Sequence, residues 1–364
     1  MSQPGQPRSY LRPTALMPSF QSDEISDRLI RVAGRADIAA CAAEIIVRME
    51  VARDEAMLLP AAEARERARY ESEIACLLMQ HEAPRQPLAG LSLDRPRIMG
   101  IVNVTPDSFS DGGAFVSADA AIDHALRLEA EGADILDIGG ESTRPGAEPV
   151  SIEEELRRVL PVIEGLAGRT KALISIDTRK AEVMRRALAA GAHIINDVAA
   201  LTYEAACTEI AAQSKAPVIL MHAQGDPRTM QKAPHYDDCL LDVCDWLAAR
   251  IAACEAAGID RTRLVVDPGI GFGKTIAHNL ELLAGLTLLH GLGVPLLLGA
   301  SRKSFIGALS GAKNASGRMP GSIAAALHGA AQGVQILRVH DVAETRQALT
   351  VWQAMQRGAP HPST

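Results

Sequence analysis

Seven polar or charged side chains stand where short runs of Ile, Leu and Val give out: Asn103, Glu141, Asp177, Asn196, His222, Asp267 and His340. Ser301 follows the remaining run. A core strand would not choose these residues, because an unpartnered buried polar group costs roughly 2–7 kcal/mol. Any one of them could cap a following helix or satisfy a loop amide. All of them doing so at equivalent positions is the weaker reading, and a shared rim for small-molecule chemistry is the stronger one. The loops after them carry glycine, as in Asp111-Gly112-Gly113, Gly139-Gly140 and the stretch from Gly269 to Lys274, so they can bend sharply and present backbone amides. The last stretch is not a nucleotide loop. A Walker A motif needs glycine where Pro268 stands, and the dinucleotide spacing fails at Lys274. No HExxH and no clustered His/Cys set points to a zinc hydrolase.

The elements that must position this rim alternate. Apolar runs at Ile98 to Asn103, Asp134 to Ile138, Ala172 to Asp177, His193 to Asn196, Pro217 to His222, Leu264 to Asp267, Pro295 to Gly299 and Gln335 to His340 are separated by Ala-rich helical stretches. That pattern predicts a parallel sheet wound by crossover helices, with strands buried on both faces. Eight runs favour a closed (β/α)8 TIM barrel over an open doubly wound sheet, and in a barrel the strand ends share the catalytic face. Ala118, Ala121, Ile122 and Ala125 fall at helical spacing with Gly132 as the stop. Ser151 to Glu154 reads as a capping box, and Pro161 should kink or shorten the helix that follows it.

Residues 1–95 read as an extension and linker outside the barrel at 96–358, and 359–364 as a tail. Asp23 to Ala56 and Ala61 to Gln80 look helical and charge-studded, with solvated faces, and Ala83 to Pro96 looks like a linker. A chain of 364 residues accommodates such a barrel plus an extension. The net charge of -7 and 22% charged residues give no nucleic-acid footprint. Six cysteines without metal-type spacing predict reduced, mostly buried thiols. No apolar run reaches a membrane span and the amino terminus lacks a signal-type core, so a cytoplasmic protein without membrane partners is expected.

The stretch from Ile98 to Gly113, IMGIVNVTPDSFSDGG, resembles the opening signature of the dihydropteroate synthases. Further segments agree in order and spacing: Asp137 to Gly146, Ser175 to Thr178, Ile195 to Asp197, and Met221-His222 followed by Gly225, Pro227, Met230 and Gln231. Asp267 to Lys274, Ser301 to Ser304 and Arg338 to Val342 complete the set, which leaves the extension unmatched. The resemblance implies an enzyme of folate biosynthesis. It would join a dihydropterin pyrophosphate to p-aminobenzoate by a largely dissociative step through a pterin cation, with sulfonamides as mimics of p-aminobenzoate.

The resemblance also implies the site. Asn103 would ligate Mg2+, the one cofactor expected, while Arg338 and His340 hold the phosphates near the helix at Ser322. Asp267 would take the paired donors of the pterin edge, Asp177 and Asn196 would complete ring recognition, and Lys303 would donate to the ring carbonyl or nitrogen. Met221, Phe272 and Gly299 would line the slot, and Arg338 could stack on its face. Asp111 would stabilise the cation, so that Asp111, Lys303 and Arg338 are the catalytic set. Phe109, Pro145, Thr143, Arg144, Ser301 and Lys303 would meet p-aminobenzoate, Thr143 from the pterin side as well. A homodimer is implied too. The rival readings are a pterin-binding methyltransferase barrel, which has no need of Ser301-Arg302-Lys303 or Thr143-Arg144-Pro145, and a barrel serving only as a binding partner.

Overall fold

The computed structural model describes residues 8–18, 28–49, 55–104, 114–142, 148–225 and 229–358. The amino-terminal part is an antiparallel sheet of β1 (Arg8–Pro18), β2 (Ile30–Arg31), β3 (Ile38–Arg48) and β4 (Glu55–Pro60), followed by α1 (Ala61–Arg67) and α2 (Ser72–Glu82). Within Asp23 to Ala56, expected to be helical, the described residues 30–31, 38–48 and 55–56 are strand, whereas Ala61 to Gln80 is helical as expected. Alanine-rich β3 has the composition of a helix, but its full-length pairing with β1, from Arg8↔Arg48 to Pro18↔Ile38, outweighs local propensity. The pleat then divides the sheet's side chains. Leu11 and Ile45, opposite each other, pack with Ala61, Ala64, Ile74 and Leu78 of the two helices, while their neighbours Tyr10 and Ile46 pack into the main core.

Polar contacts fasten the same face to the barrel. Tyr10 donates its hydroxyl to Asp245 at 2.9 Å, Arg48 reaches Asp242 at 2.6 Å, and Thr287 donates to the Pro13 carbonyl at 2.8 Å. From the last turn of α2, His81 Nε2 donates to the Leu11 carbonyl; His290 Nε2 donates to that of Gln332, each at 2.9 Å, and Arg85 donates to the His290 carbonyl at 2.8 Å. Burial, helped by the Arg85 charge, pushes His81 down to about 3 and His290 well below its ordinary value. In the unfolded chain both imidazoles titrate near 6.5, so unfolding takes up protons below that pH. Stability contributed by keeping them neutral is present above about pH 6.5 and is lost as pH falls, on the order of 2 kcal/mol per histidine by about pH 5. Urea unfolding followed from about pH 7.5 down to 5 should show this slope, and His81→Gln should flatten it. A variant slope equal to the native one would show that His81 does not carry the effect.

Residues 88–93, read above as linker, belong to the barrel. Leu88 and Leu91 exchange backbone hydrogen bonds of 2.9 and 2.8 Å across Ala89 and Gly90, both at positive φ, the geometry of a tight two-residue hairpin turn. Leu88 and Leu93 then pack with Met99, Ile135, Ile194, Ile219, Val265, Leu297 and Ile336 from the lower part of seven barrel strands. Burying each leucine there is worth roughly 1.5–3 kcal/mol, and the hairpin closes the barrel's amino-terminal end.

The barrel strands are β5 (Arg97–Asn103), β6 (Ile135–Gly139), β7 (Leu173–Asp177), β8 (Ile194–Asp197), β9 (Val218–Met221), β10 (Leu264–Asp267), β11 (Leu297–Leu298) and β12 (Ile336–Val339). All are parallel, in the order β10-β9-β8-β7-β6-β5-β12-β11, and a bridge from Val266 to Leu296 closes the ring. The expected runs and the observed strands agree. Between strands lie α3 (Ala114–Ala130), α4 (Ile152–Leu166), α5 (Ala181–Ala189), α6 (Ala205–Ser214), α7 (Cys239–Ala256), α8 (Ile276–Ala284), α9 (Leu286–Leu289), α10 (Ser304–Ser310) and α11 (Met319–Ala331), with α12 (Val342–Arg357) last.

Two local expectations need correction. Ser151 does accept the Glu154 amide, but the Glu154 side chain pairs with Arg157 and Arg158 instead of returning to Ser151, so the box is half formed. Pro161 does not shorten α4, because it and Arg157, whose carbonyl loses its helical donor, both lie on the exposed face where water can serve. Cys207, Cys239, Cys244 and Cys254 are free and buried, as expected, while Cys41 and Cys76 are free and exposed. No helix among the described residues is long and apolar enough to cross a membrane.

Candidate active site

Register brings the polar strand ends to one level. Asn103 pairs with Gly139, Gly139 with Asp177, and Asp177 with Asn196, so β5 to β8 present Asn103, Asp177 and Asn196 side by side at the carboxyl rim. Asp267 and Met221 are register partners across the ring on β10 and β9. From β12, Arg338 reaches over this floor: Nε donates to Asp137 at 2.6 Å and Nη2 to Asp177 at 2.7 Å, while Asn196 Nδ2 donates to the same Asp137 oxygen at 3.0 Å. Asp137 is fully buried, and its Oδ1 has no partner among the described residues. Burial works against the Arg338 charge, but Asp137 and Asp177 more than restore it. Burial also pushes Asp177 up to about 7, against the pull of Arg338 and with the help of Asp137.

On the opposite side, Asp267 is raised by burial and held back by the Gly269 amide, which donates to Oδ1 at 2.7 Å, and by the charges of Lys303 and Arg338. Gly269 must be glycine: at φ +67° a side chain would strike the His222 carbonyl at 1.8 Å. The Lys303 ammonium lies 4.0 Å from the centre of the Phe272 ring, a cation over an aromatic wall. Gly299 lies against both Asp267 Oδ2 and Arg338, and a methyl group there would sit 3.7 Å from that carboxylate. At the rim's other edge Ser301 Oγ is 3.0 Å from His340 Nδ1 and accepts the His340 amide at 3.2 Å. The Ser322 hydroxyl of α11 accepts the Arg302 amide at 2.8 Å, with Arg302 at φ +57°.

Flat-ring recognition and anion binding are what such a floor can do: carboxylates and an amide for ring donors, cations and hydroxyls for acceptors. The pterin binding enzyme family profile matches residues 99–340. Dihydropteroate synthase of Escherichia coli K12 is 52% identical over 264 residues, covering 72% of this chain and 93% of that protein. The chain belongs to the dihydropteroate synthase family. Among solved structures, dihydropteroate synthase of Xanthomonas albilineans with 4-aminobenzoic acid is 57% identical at a TM-score of 0.71, covering 75% of this chain and 98% of that one. The same enzyme in complex with 7,8-dihydropteroate is 54% identical at a TM-score of 0.68, covering 75% and 99%. The match to a dihydropteroate synthase over nearly its whole length displaces the methyltransferase and partner-only readings.

Within this dihydropteroate synthase site, the residues brought together are Asn103, Asp177, Asn196, Met221, Asp267, Phe272, Gly299, Ser301, Lys303, Arg338 and His340. Phe109, Asp111, Thr143, Arg144 and Pro145 lie outside the described residues. Asp137 was missed as a site residue, although an aspartate in the middle of an apolar strand is a signal in its own right. His222 goes the other way. It turns out of the site, packs edge-on against Trp246 at 4.9 Å, and faces the Lys274 ammonium at 2.9 Å.

Proposed function

We propose that this rim carries out the family reaction with the roles assigned below. The chain is a transferase that condenses 6-hydroxymethyl-7,8-dihydropterin pyrophosphate with p-aminobenzoate, giving 7,8-dihydropteroate and pyrophosphate in folate biosynthesis. The observation that supports the roles best is the convergence of Asp177, Asn196, Asp267 and Arg338 on one floor at the open end of the barrel. Asp267 takes the amino and ring N–H donors of the pterin, and Asn196 and Asp177 hold the far edge. Lys303 donates to a ring acceptor beside the Phe272 and Met221 walls, and Gly299 leaves the space the ring needs.

The Asn103 side chain is a neutral, half-buried oxygen donor at the end of β5. It fits a hard cation that keeps its water and shares its other positions with pyrophosphate. Mg2+ bound there would neutralise the departing pyrophosphate. Arg338 and His340, with Ser301 orienting His340, stabilise the negative charge that grows as the methylene carbon to oxygen bond breaks. The role of Asp111 in this reading is to stabilise the resulting pterin cation, and the amine of p-aminobenzoate closes the new carbon to nitrogen bond and gives up a proton. Phe109, Thr143, Arg144, Pro145 and Ser301 hold the aminobenzoate ring and carboxylate. A cytosolic homodimer belongs to the same reading.

Pyrophosphate release should require the pterin pyrophosphate, p-aminobenzoate and Mg2+ together, and sulfonamides should raise the KM for p-aminobenzoate without lowering kcat. No release with all three present, or full activity in chelator, would overturn the assignment.

A further inference from the structure

Three buried charges, Glu141, Lys180 and Glu155, lie beside the pterin floor without entering it, joined by the half-buried Arg179. Glu141, just past β6, accepts Lys180 Nζ at 3.1 Å and Arg179 Nη2 at 3.2 Å, and also the backbone amide of Val150 at 3.2 Å. Lys180 donates as well to Glu155 of α4 at 2.5 Å. The side chains of Glu141, Lys180 and Glu155 are 4%, 5% and 0% exposed, and Glu155 Oε1 has no partner among the described residues. Such a network is a poor source of stability, since apolar residues of like volume often do as well. What it does supply is position. Glu141 and Val150 bound residues 142–149, so one carboxylate ties together the residues that flank that segment, and Arg179 and Lys180 follow Asp177 by two and three residues. Lys180 is fixed in turn by its amide, which donates to Thr178 Oγ1 at 3.2 Å, and Thr178 donates its own amide to the Asn196 carbonyl at 3.0 Å.

We infer that Glu141, Lys180 and Glu155 form a clasp that sets the residues flanking the 142–149 segment against the pterin-binding end of β7. This rests on the reading that Thr143, Arg144 and Pro145 serve p-aminobenzoate. The three are positioning residues, and their effect falls on one substrate. Glu141→Gln keeps the acceptor for Val150 but removes the charge that gathers Arg179 and Lys180, and Lys180→Met removes the centre of the network. Each should raise the KM for p-aminobenzoate by about tenfold or more, the scale on which small misplacements act, while pterin affinity by calorimetry stays within about twofold.

The unmodified enzyme, assayed in parallel, separates the two hypotheses. If it fails to release pyrophosphate the functional reading falls. If it is active and folded variants change both substrates equally, or neither, the clasp falls alone. Failure of both variants to fold would assign the cluster to stability and overturn the inference as well.

Discussion

Arg338→Met is expected to lose about 3–5 kcal/mol of stability, the cost of stripping the partner from a buried charge. Methionine keeps most of the aliphatic stem, so lost packing contributes little; the loss comes from Asp137 and Asp177, left facing each other without a cation. Asp137, fully buried, keeps one hydrogen bond from Asn196 in place of a full charge partner. Asp177 has an escape, because its carboxyl is already pushed up to about 7 and takes a proton more readily once the guanidinium is gone. The deficit should therefore be smaller near pH 6 than near about pH 8. Adding Asp137→Asn should restore part of the loss, since a neutral amide no longer needs the cation. Urea unfolding at both pH values checks all three statements. A deficit under about 1 kcal/mol would mean that water replaces the guanidinium and that the triad is not a closed ion cluster.

Asp267→Asn should act on the ligand and spare the fold, weakening pterin affinity by about 2–4 kcal/mol, which is roughly 30- to 1000-fold. One carboxylate oxygen is committed to the Gly269 amide, and the other faces the opening left by Gly299. An asparagine would give its carbonyl to Gly269 and turn its NH2 toward the amino and N–H donors of the ring. Donor would then meet donor at a buried position. Stability should hold or rise, because burial disfavours the charge at this position. Calorimetric titration with a pterin, beside a thermal melt, separates binding from folding. A loss of affinity below about fivefold would take Asp267 out of the ring contact.

The barrel was legible because strands buried on both faces must be apolar throughout, which leaves Asn103, Asp177, Asn196 and Asp267 conspicuous at their ends. Asp137 escaped the same logic because it lies two residues before its strand finishes, where its need for Arg338 is set by a partner 201 residues away. The extension escaped for a different reason. Ala39, Ala40, Ala42 and Ala43 favour a helix, and pairing with β1 on one side and with β2 or β4 on the other makes them strand, so the deciding contacts are not local. Leu88-Ala89-Gly90-Leu91 held a usable clue, a glycine between leucines, but the turn shows its purpose only once the barrel end it fills exists.

The clamps between the sheet and the barrel join residues very far apart in the chain. Tyr10 meets Asp245, Pro13 meets Thr287 and Arg35 meets the Ala330 carbonyl, spans of 235, 274 and 295 residues. The ribosome makes the extension first, yet its docking face finds a partner only after most of the barrel has been synthesised, on the order of 15–60 s later at typical rates of synthesis. For that interval Tyr10 and Ile46 are apolar surface in search of cover. Expression of this chain should therefore depend more on chaperones and on translation rate than expression of its shorter relatives, for a cause the finished enzyme no longer displays.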